Sequence, residues 1–338
     1  MHYLITGHTG FKGAWLTFLL KQRGHKVSGV ALDPAEDALY KSAEMKDLFE
    51  IDVRCDIRDG RQLGKVFQRI EPDVVIHLAA QALVRESYKD PITTFETNVL
   101  GTINVLKASQ SVKPLRAQLI VTTDKVYKNK NQKIGYVETD ELGGIDPYSA
   151  SKAMADIATE SWVESFENCP TAIARAGNVI GGGDMSSDRL IPDLVRSYSS
   201  KRVPELRFPN SVRPWQHVLD CVNGYLVLVD SIISNKTGGA WNFGPSDAQL
   251  RTVGDVATAI GSRWGVDEQW GIDNAEHPHE AGLLLLNSEK ARTQLKWADK
   301  LNFENTVLWT ADWYKNVLEG SSPREETIRN IKEFESLK

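Results

Sequence analysis

The 338-residue sequence predicts an α/β fold, a doubly wound parallel sheet carrying a smaller, discontinuous C-terminal lobe. Three observations predict it. Short apolar runs alternate with helix-period segments through the first half of the chain. The first run leads into a glycine-rich turn that opens a helix. After Ile180 the alternation breaks, and Gly-, Pro- and aromatic-rich stretches take over.

The elements follow in order. "HYLIT" reads as a strand, and "GAWLTFLLKQRG" as a helix closed by Gly24. "KVSGVALD" and "FEIDVRCDI" are the second and third strands. "GRQLGKVFQRI" is helical and "PDVVIHLAA" is the fourth strand. "DPITTFETNVLGTINVLKASQ" is a long helix, followed by "AQLIVTTD" as the fifth strand. "PYSASKAMADIATESWVESF" is another long helix, and "TAIARAGNVI" the sixth strand. Strand and helix in alternation give parallel pairing with helices on both faces. Beyond Ile180, "DRLIPDLVRSY" and "DCVNGYLVLVDSII" are helical and "GAWNFGP" is a short strand and turn. The boundaries expected are a dinucleotide-type domain over 1–178 with a helix at about 217–234, and a lobe made of 179–216 and 235–338.

Bulk properties narrow the function. Hydrophobic residues are 41% and charged residues 25%, so a sizeable core is available. A net charge of −5 supplies no global basic footprint, which argues against a nucleic-acid partner. Apolar runs such as "GLLLLN" are too short to span a membrane. Cys55, Cys169 and Cys221 are odd in number and far apart, so a reduced, cytoplasmic protein is expected. The chain opens as a strand, with no secretory leader expected.

"TGHTGFKG" spaces Gly7, Gly10 and Gly13 three apart between strand and helix. Glycines there let backbone N–H groups approach a pyrophosphate at a helix N-terminus. Asp33 closes the second strand, where a carboxylate can bond a ribose 2′-hydroxyl and repel a 2′-phosphate. NAD is therefore favoured over NADP. Lys12 lies inside the cradle and either contacts a phosphate or points to solvent.

"DPYSASK" is the most informative segment. Pro147 suits the first helical turn and Asp146 its cap. Tyr148 and Lys152 then share one helix face, where the ammonium favours the phenolate and makes Tyr148 a usable base. The fifth strand ends on Thr123, Asp124 and Lys125, at the carboxyl edge where such sheets bind ligands.

These features belong together. Gly7, Gly10 and Gly13, "DI" at Asp56–Ile57, "HLAA" at His77–Ala80, Asn98, Thr123, "YSASK" and "RAGNVIG" resemble the extended short-chain dehydrogenase/reductases that act on nucleotide sugars. "GHTGFKGAWL", "TTDKVYKN", "ARAGNVIGGGD", "RPWQHV" and "HEAGLLLLNSEKA" are similar to the 4,6-dehydratase branch of that family whose substrate is CDP-glucose. That branch carries Asp-Lys where related dehydratases carry Asp-Glu.

The resemblance implies an NAD-binding Rossmann domain and a nucleotide-sugar-binding lobe. Gly7, Thr9, Gly10, Phe11, Lys12, Gly13, Asp33, Asp56, Ile57, Leu78, Ala79, Ala80 and Asn98 would hold NAD, with Tyr148 and Lys152. Tyr148 would take the proton of the sugar 4-hydroxyl, Lys152 would tune it, and Thr123 would hold the oxygen. Asp124 would be the acid of the C5–C6 elimination. Lys125 would be its base, which needs a pKa well below the usual value of about 10.4, or else a charge partner. Asn178, Arg189, Arg213, His279 and Glu280 would bind the substrate. Trp215 either stacks on a base or fills the lobe.

His277 and His279 with Glu276 and Glu280 could suggest a metal site, but the H-x-H spacing is weak, and no metal is expected. A homodimer through the two long helices, or a tetramer, is expected. A nucleotide-sugar 4-epimerase would share Tyr148, Lys152 and NAD but has no use for Asp124 and Lys125. A catalytically silent NAD-binding scaffold would not need the full set.

Overall fold

The computed structural model describes residues 1–337 apart from 113–114, 167–168, 247–250, 268 and 276–282. Six strands appear in the expected order: β1 (His2–Thr6), β2 (Lys26–Ala31), β3 (Asp52–Arg54), β4 (Val74–His77), β5 (Ala117–Val121) and β6 (Thr171–Ala176). The helices between them are α1 (Phe11–Gln22), α2 (Leu39–Ser42), α3 (Gly60–Ile70), α4 (Val84–Lys89), α5 (Pro91–Phe95), α6 (Gly101–Gln110) and α7 (Pro147–Ser165). The single long helix expected over 90–110 is instead α5 and α6 joined by a π-helical turn, Glu96–Leu100.

The second half holds short strands and further helices. They are β7 (Val179–Ile180), α8 (Leu190–Ser199), β8 (Glu205–Leu206), β9 (Val212–Arg213), β10 (Gln216–His217), α9 (Val218–Asn235) and β11 (Gly239–Phe243). Then come β12 (Arg251–Thr252), α10 (Val253–Trp264), β13 (Gly271–Ile272), α11 (Glu289–Gln294), α12 (Phe303–Leu318) and α13 (Pro323–Ser336).

The main sheet is parallel throughout, in the order β11-β6-β5-β4-β1-β2-β3. The chain leaves β1 in both directions, so a crevice opens beyond the carboxyl ends of β1 and β4. Helices cover both faces, which is why β4, β5 and β6 are buried along their whole length. Alternation divides each strand between two cores. Tyr3 and Ile5 join the core shared with α1, α9 and the C-terminal lobe, while Leu4 joins the core under α3 and α6.

Two expectations are corrected. The sixth strand ends at Ala176, and Val179–Ile180 leave the sheet to pair with Gln216–His217. The lobe boundary expected at 235 cuts off a strand of the main sheet: β11 pairs with β6 in full register, from Gly239–Ala172 to Phe243–Ala176. Helix α9, by length and apolarity sufficient to cross a membrane, packs against α1, β5 and β6 as a core helix.

A buried ion pair locks the centre. Arg175 in β6 donates to both carboxylate oxygens of Asp156 in α7, at 2.9 and 2.6 Å, and both side chains are buried. Asp156 also accepts from Thr122 at 3.0 Å. Removing one partner of such a pair strands the other charge without solvent. Asp156→Ala is therefore expected to lower stability by about 3–5 kcal/mol in urea unfolding, and a loss under about 1 kcal/mol would contradict this role.

Candidate active site

The crevice is a cavity of about 900 Å³ at the carboxyl edge of the sheet. Its lining runs from the glycine turn to the C-terminal lobe. Gly7, Thr9, Gly10, Phe11, Lys12, Gly13, Asp56, Ile57, Leu78, Ala79 and Ala80 form one part of it. Thr123, Lys125, Tyr148, Lys152, Asn178, Arg189 and Arg213 form the other.

The glycines are required by close approach. Gly7 has φ +77°, and a Cβ on it would lie 2.7 Å from the Ala79 nitrogen. A Cβ on Gly13 would lie 2.3 Å from the Gly7 carbonyl oxygen. Gly10 caps α1 with no side chain over the helix N-terminus, so its N–H groups are left for an anion. A dinucleotide fits this cradle. Lys12 does not simply point outward: its ammonium donates to the Tyr225 hydroxyl at 3.3 Å, and burial above all lowers its pKa.

Two expected cofactor residues stand apart from the lining. Asp33 lies two residues beyond β2, on the surface, with Arg54 Nε 3.4 Å from its carboxylate. Ala31 and Leu32 line the cavity there instead. Asn98 is buried in the π-helical turn. It accepts from the Gln81 N–H at 2.9 Å and donates to the Gln81 carbonyl and to Ser151 Oγ, at 3.0 and 2.8 Å. It holds the chain after β4 against α7.

The polar end of β5 turns at once into a 3-10 segment, Asp124–Val126. The Thr123 hydroxyl donates to Asp124 Oδ1 at 2.9 Å. Lys125 Nζ donates to the same Asp124 oxygen at 3.1 Å. Asp124 is fully buried, and its Oδ2 has no partner among the described residues. Helix α7 delivers Tyr148 and Lys152 beside them. Asp146 caps the helix by accepting from the Ser149 N–H at 2.9 Å, and Ser87 in α4 accepts from the Tyr148 N–H at 3.1 Å.

The Tyr–Lys pair differs from expectation in one respect. Burial pushes the Tyr148 phenol up to about 12; the nearby Thr123 hydroxyl and the Arg189 charge pull the other way without prevailing. Lys152, one turn further along α7, donates from its ammonium to the Val121 carbonyl at 2.8 Å. Burial, with repulsion from Lys12, brings Lys152 down to about 8.

At the lobe end, Arg189 caps α8 and its Nη1 lies 3.2 Å from Asp184. Arg213 is buried and donates to the Val212 carbonyl at 3.0 Å. Asn178 Oδ1 is buried without a partner among the described residues. Trp215 is buried, donates to the Arg251 carbonyl at 3.1 Å, and lines the cavity at the lobe end. His279 and Glu280, with Glu276 and His277, lie outside the described residues. Among the described residues no group of three His, Cys, Asp or Glu could hold a metal. Sequence reasoning missed Ser87 and the cavity residues Arg85, Asp188 and Arg207, which come together only through the fold.

The sequence model of the NAD dependent epimerase/dehydratase family matches residues 3–244. The chain belongs to that family. Within it, the chain is 39% identical to a CDP-glucose 4,6-dehydratase of Salmonella typhimurium, over 98% of this chain and 95% of that one. It is 25% identical to a dTDP-glucose 4,6-dehydratase of Shigella flexneri, over 93% and 92%. Solved epimerase/dehydratase structures share the fold. A UDP-glucose 4-epimerase of Stenotrophomonas maltophila with bound NAD superposes with a TM-score of 0.83, covering 95% of this chain and all of that one at 21% identity. A dTDP-glucose 4,6-dehydratase of Bacillus anthracis in complex with NAD gives 0.81, covering 96% and 99% at 24% identity.

The depressed Lys152 has a measurable sign. Between about 8 and the ordinary 10.5 the unfolded chain holds this proton more firmly than the folded chain. Stability of the cofactor-free protein should therefore rise with pH across that window, as the cost of a buried ammonium disappears. Lys152→Met should flatten the rise in denaturant midpoints between pH 7.5 and 10 (roughly the span of the shift); an unchanged slope would contradict it.

Proposed function

We propose that this protein is an NAD-dependent nucleotide-sugar 4,6-dehydratase acting on CDP-glucose and releasing CDP-4-keto-6-deoxyglucose. The observation that carries the reading is the Thr123–Asp124–Lys125 turn set beside Tyr148 and Lys152. The 39% identity to a CDP-glucose 4,6-dehydratase supports the substrate. NAD, when bound, supplies a hydride acceptor for C4, a hydride donor for C6, and a positive charge on the nicotinamide.

The chain's own groups handle the protons. The Tyr148 oxygen takes the proton of the 4-hydroxyl, which the Thr123 hydroxyl holds in place. A phenol resting near 12 needs a nearby positive charge to serve as a base at neutral pH. The C4 carbonyl then acidifies the C5 proton, and water leaves across C5–C6.

Asp124 and Lys125 suit that step as a pair. Shifting one proton from the Lys125 ammonium to the Asp124 carboxylate creates an amine base and a carboxylic acid, 3.1 Å apart. The amine takes the C5 proton, and the acid gives its proton to the departing 6-hydroxyl. The elimination returns the pair to its charged state; the Lys125 ammonium, partly exposed and so exchangeable with solvent, then supplies the proton that C5 needs as hydride reaches C6, and the proton that Tyr148 took from the 4-hydroxyl balances the cycle. In the opening transfer the proton moves along the Lys125 hydrogen bond to Asp124 Oδ1, while Oδ2 is buried and unpartnered among the described residues.

The same reading makes the protein a cytoplasmic homodimer with no membrane or nucleic-acid partner. Its cysteines are free, and α5 to α7 expose Ile92, Leu100, Met154 and Ile157, an apolar surface that a second copy would cover.

Turnover measured side by side with CDP-, dTDP-, GDP- and UDP-glucose should favour CDP-glucose and yield a 4-keto product. Equal rates with all four, or none with CDP-glucose, would contradict the assignment. Lys125→Met should cut C5 proton exchange with solvent by about 10²–10⁴-fold, and exchange at the full rate would exclude Lys125 as the base.

A further inference from the structure

We propose that His77 is a positioning residue that ties the NAD cradle to the helix carrying Tyr148. The proposal rests on the dehydratase reading through Tyr148 and deepens it. His77 ends β4, in register with Thr6 of β1 and Ile120 of β5. Its ring is buried and bonded at both nitrogens. Nδ1 lies 2.6 Å from the Thr6 hydroxyl and Nε2 3.0 Å from the Thr102 hydroxyl. Thr6 directly precedes the glycine turn, and its Oγ1 accepts from the Ala79 N–H at 3.3 Å. Ala79 is the residue whose backbone Gly7 packs against. On the other side, Thr102 in α6 donates to the Asn98 carbonyl at 2.7 Å, inside the π-helical turn.

The donors fix the direction of every bond. A hydroxyl has one hydrogen. Thr102 gives its hydrogen to the Asn98 carbonyl, so its oxygen accepts from His77 Nε2–H. Nδ1 is then the acceptor, and the Thr6 hydroxyl donates to it. Beyond Asn98 the order continues. The Asn98 amide nitrogen donates to Ser151 Oγ at 2.8 Å, and Ser151 donates to the Tyr148 carbonyl at 2.7 Å. One chain of bonds therefore runs head to tail from Ala79 to Tyr148. Thr6, His77, Thr102, Asn98 and Ser151 are each at most 1% exposed, so water does not replace a lost bond.

Packing alone does not call for an imidazole here. Val75, two residues back on the same face of β4, joins the apolar core under α3 and α6. Burial above all, with repulsion from Lys152, lowers the His77 pKa to about 3. The ring therefore stays neutral and keeps one donor and one acceptor on its two edges. A chain that enters as an acceptor and leaves as a donor needs that combination. The two edges serve different partners. The Nδ1 edge bears on Thr6, Ala79 and the glycine turn. The Nε2 edge bears on the π-helical turn and, through Ser151, on Tyr148.

The test separates the edges on the full chain. An Asn side chain reaches as far as Nδ1, and a Gln side chain as far as Nε2. Tryptophan-fluorescence titration gives the NAD dissociation constant, and turnover of CDP-glucose at saturating NAD gives kcat. His77→Asn keeps the acceptor for Thr6, so NAD affinity should stay within about twofold while kcat falls about tenfold or more. His77→Gln keeps the donor to Thr102, so kcat should stay within about threefold while NAD binds about fivefold or more weakly. His77→Leu should impair both; if it does not fold, the Asn and Gln variants decide. The proposal is overturned if those two variants change both quantities by the same factor, or change neither and lower only the urea midpoint. His77 would then be a packing group. Absence of CDP-glucose turnover in the unaltered protein would count against the dehydratase reading, while the NAD affinities of the Asn and Gln variants still judge His77.

Discussion

The reactive groups of this protein depend on the buried carboxylate of Asp156. It lies one helical turn beyond Lys152 and binds Arg175 through both oxygens. It also accepts from Thr122, the residue just before the Thr123–Asp124–Lys125 turn. The carboxylate thereby pins the end of β5 against α7. Arg175 extends the network to the Tyr127 hydroxyl and the Glu138 carbonyl, and Tyr127 donates to Asn242 in β11. Each buried polar group is answered by another, so the turn and the Tyr–Lys face stand in one fixed relation. Deleting a member would cost more than a surface bond for that reason.

The cleft is held in an electrostatic state that a ligand must complete. The chain is net acidic at −5, yet Lys12, Lys125, Lys152 and Arg189 all line this cavity. Lys12 and Lys152 both have their pKa values lowered, chiefly by burial, and Lys12 adds to the lowering of Lys152. Tyr148 is pushed the other way by the same burial. Phenol and ammonium are thus both biased toward their neutral forms in the empty protein. Charge brought in by cofactor and substrate shifts that balance, which couples binding to the readiness of the base.

Much of this was legible in the sequence, for local reasons. Strand–helix alternation, the three-residue glycine spacing and a Pro-Tyr-x-x-x-Lys helix start are patterns within single elements, and each formed where expected. What escaped depends on distant contacts. No pattern in "GAWNF" distinguishes a lobe strand from β11 of the main sheet, because only its pairing with β6 decides. The π-helical turn was hidden inside an unbroken helical pattern, and it buries Asn98 as a positioning group. Asp33 follows β2 in sequence, yet the strand ends two residues earlier and Arg54 stands beside the carboxylate. Lys152 shares a helix face with Tyr148 as the spacing indicated, but its hydrogen bond to the Val121 carbonyl, 31 residues away, depends on the fold. Arg85, Asp188 and Arg207 carry no shared motif, since three separate elements bring them to one cavity.

One cleft oxidises C4, eliminates water across C5–C6 and returns the same hydride to C6. Turnover of CDP-glucose carrying deuterium at C4 tests this most directly. The expected product is a 4-keto-6-deoxy sugar with the deuterium at C6, transferred within a single turnover on protein loaded with unlabelled NAD. A product that keeps its 6-hydroxyl, with the deuterium still at C4, would contradict it.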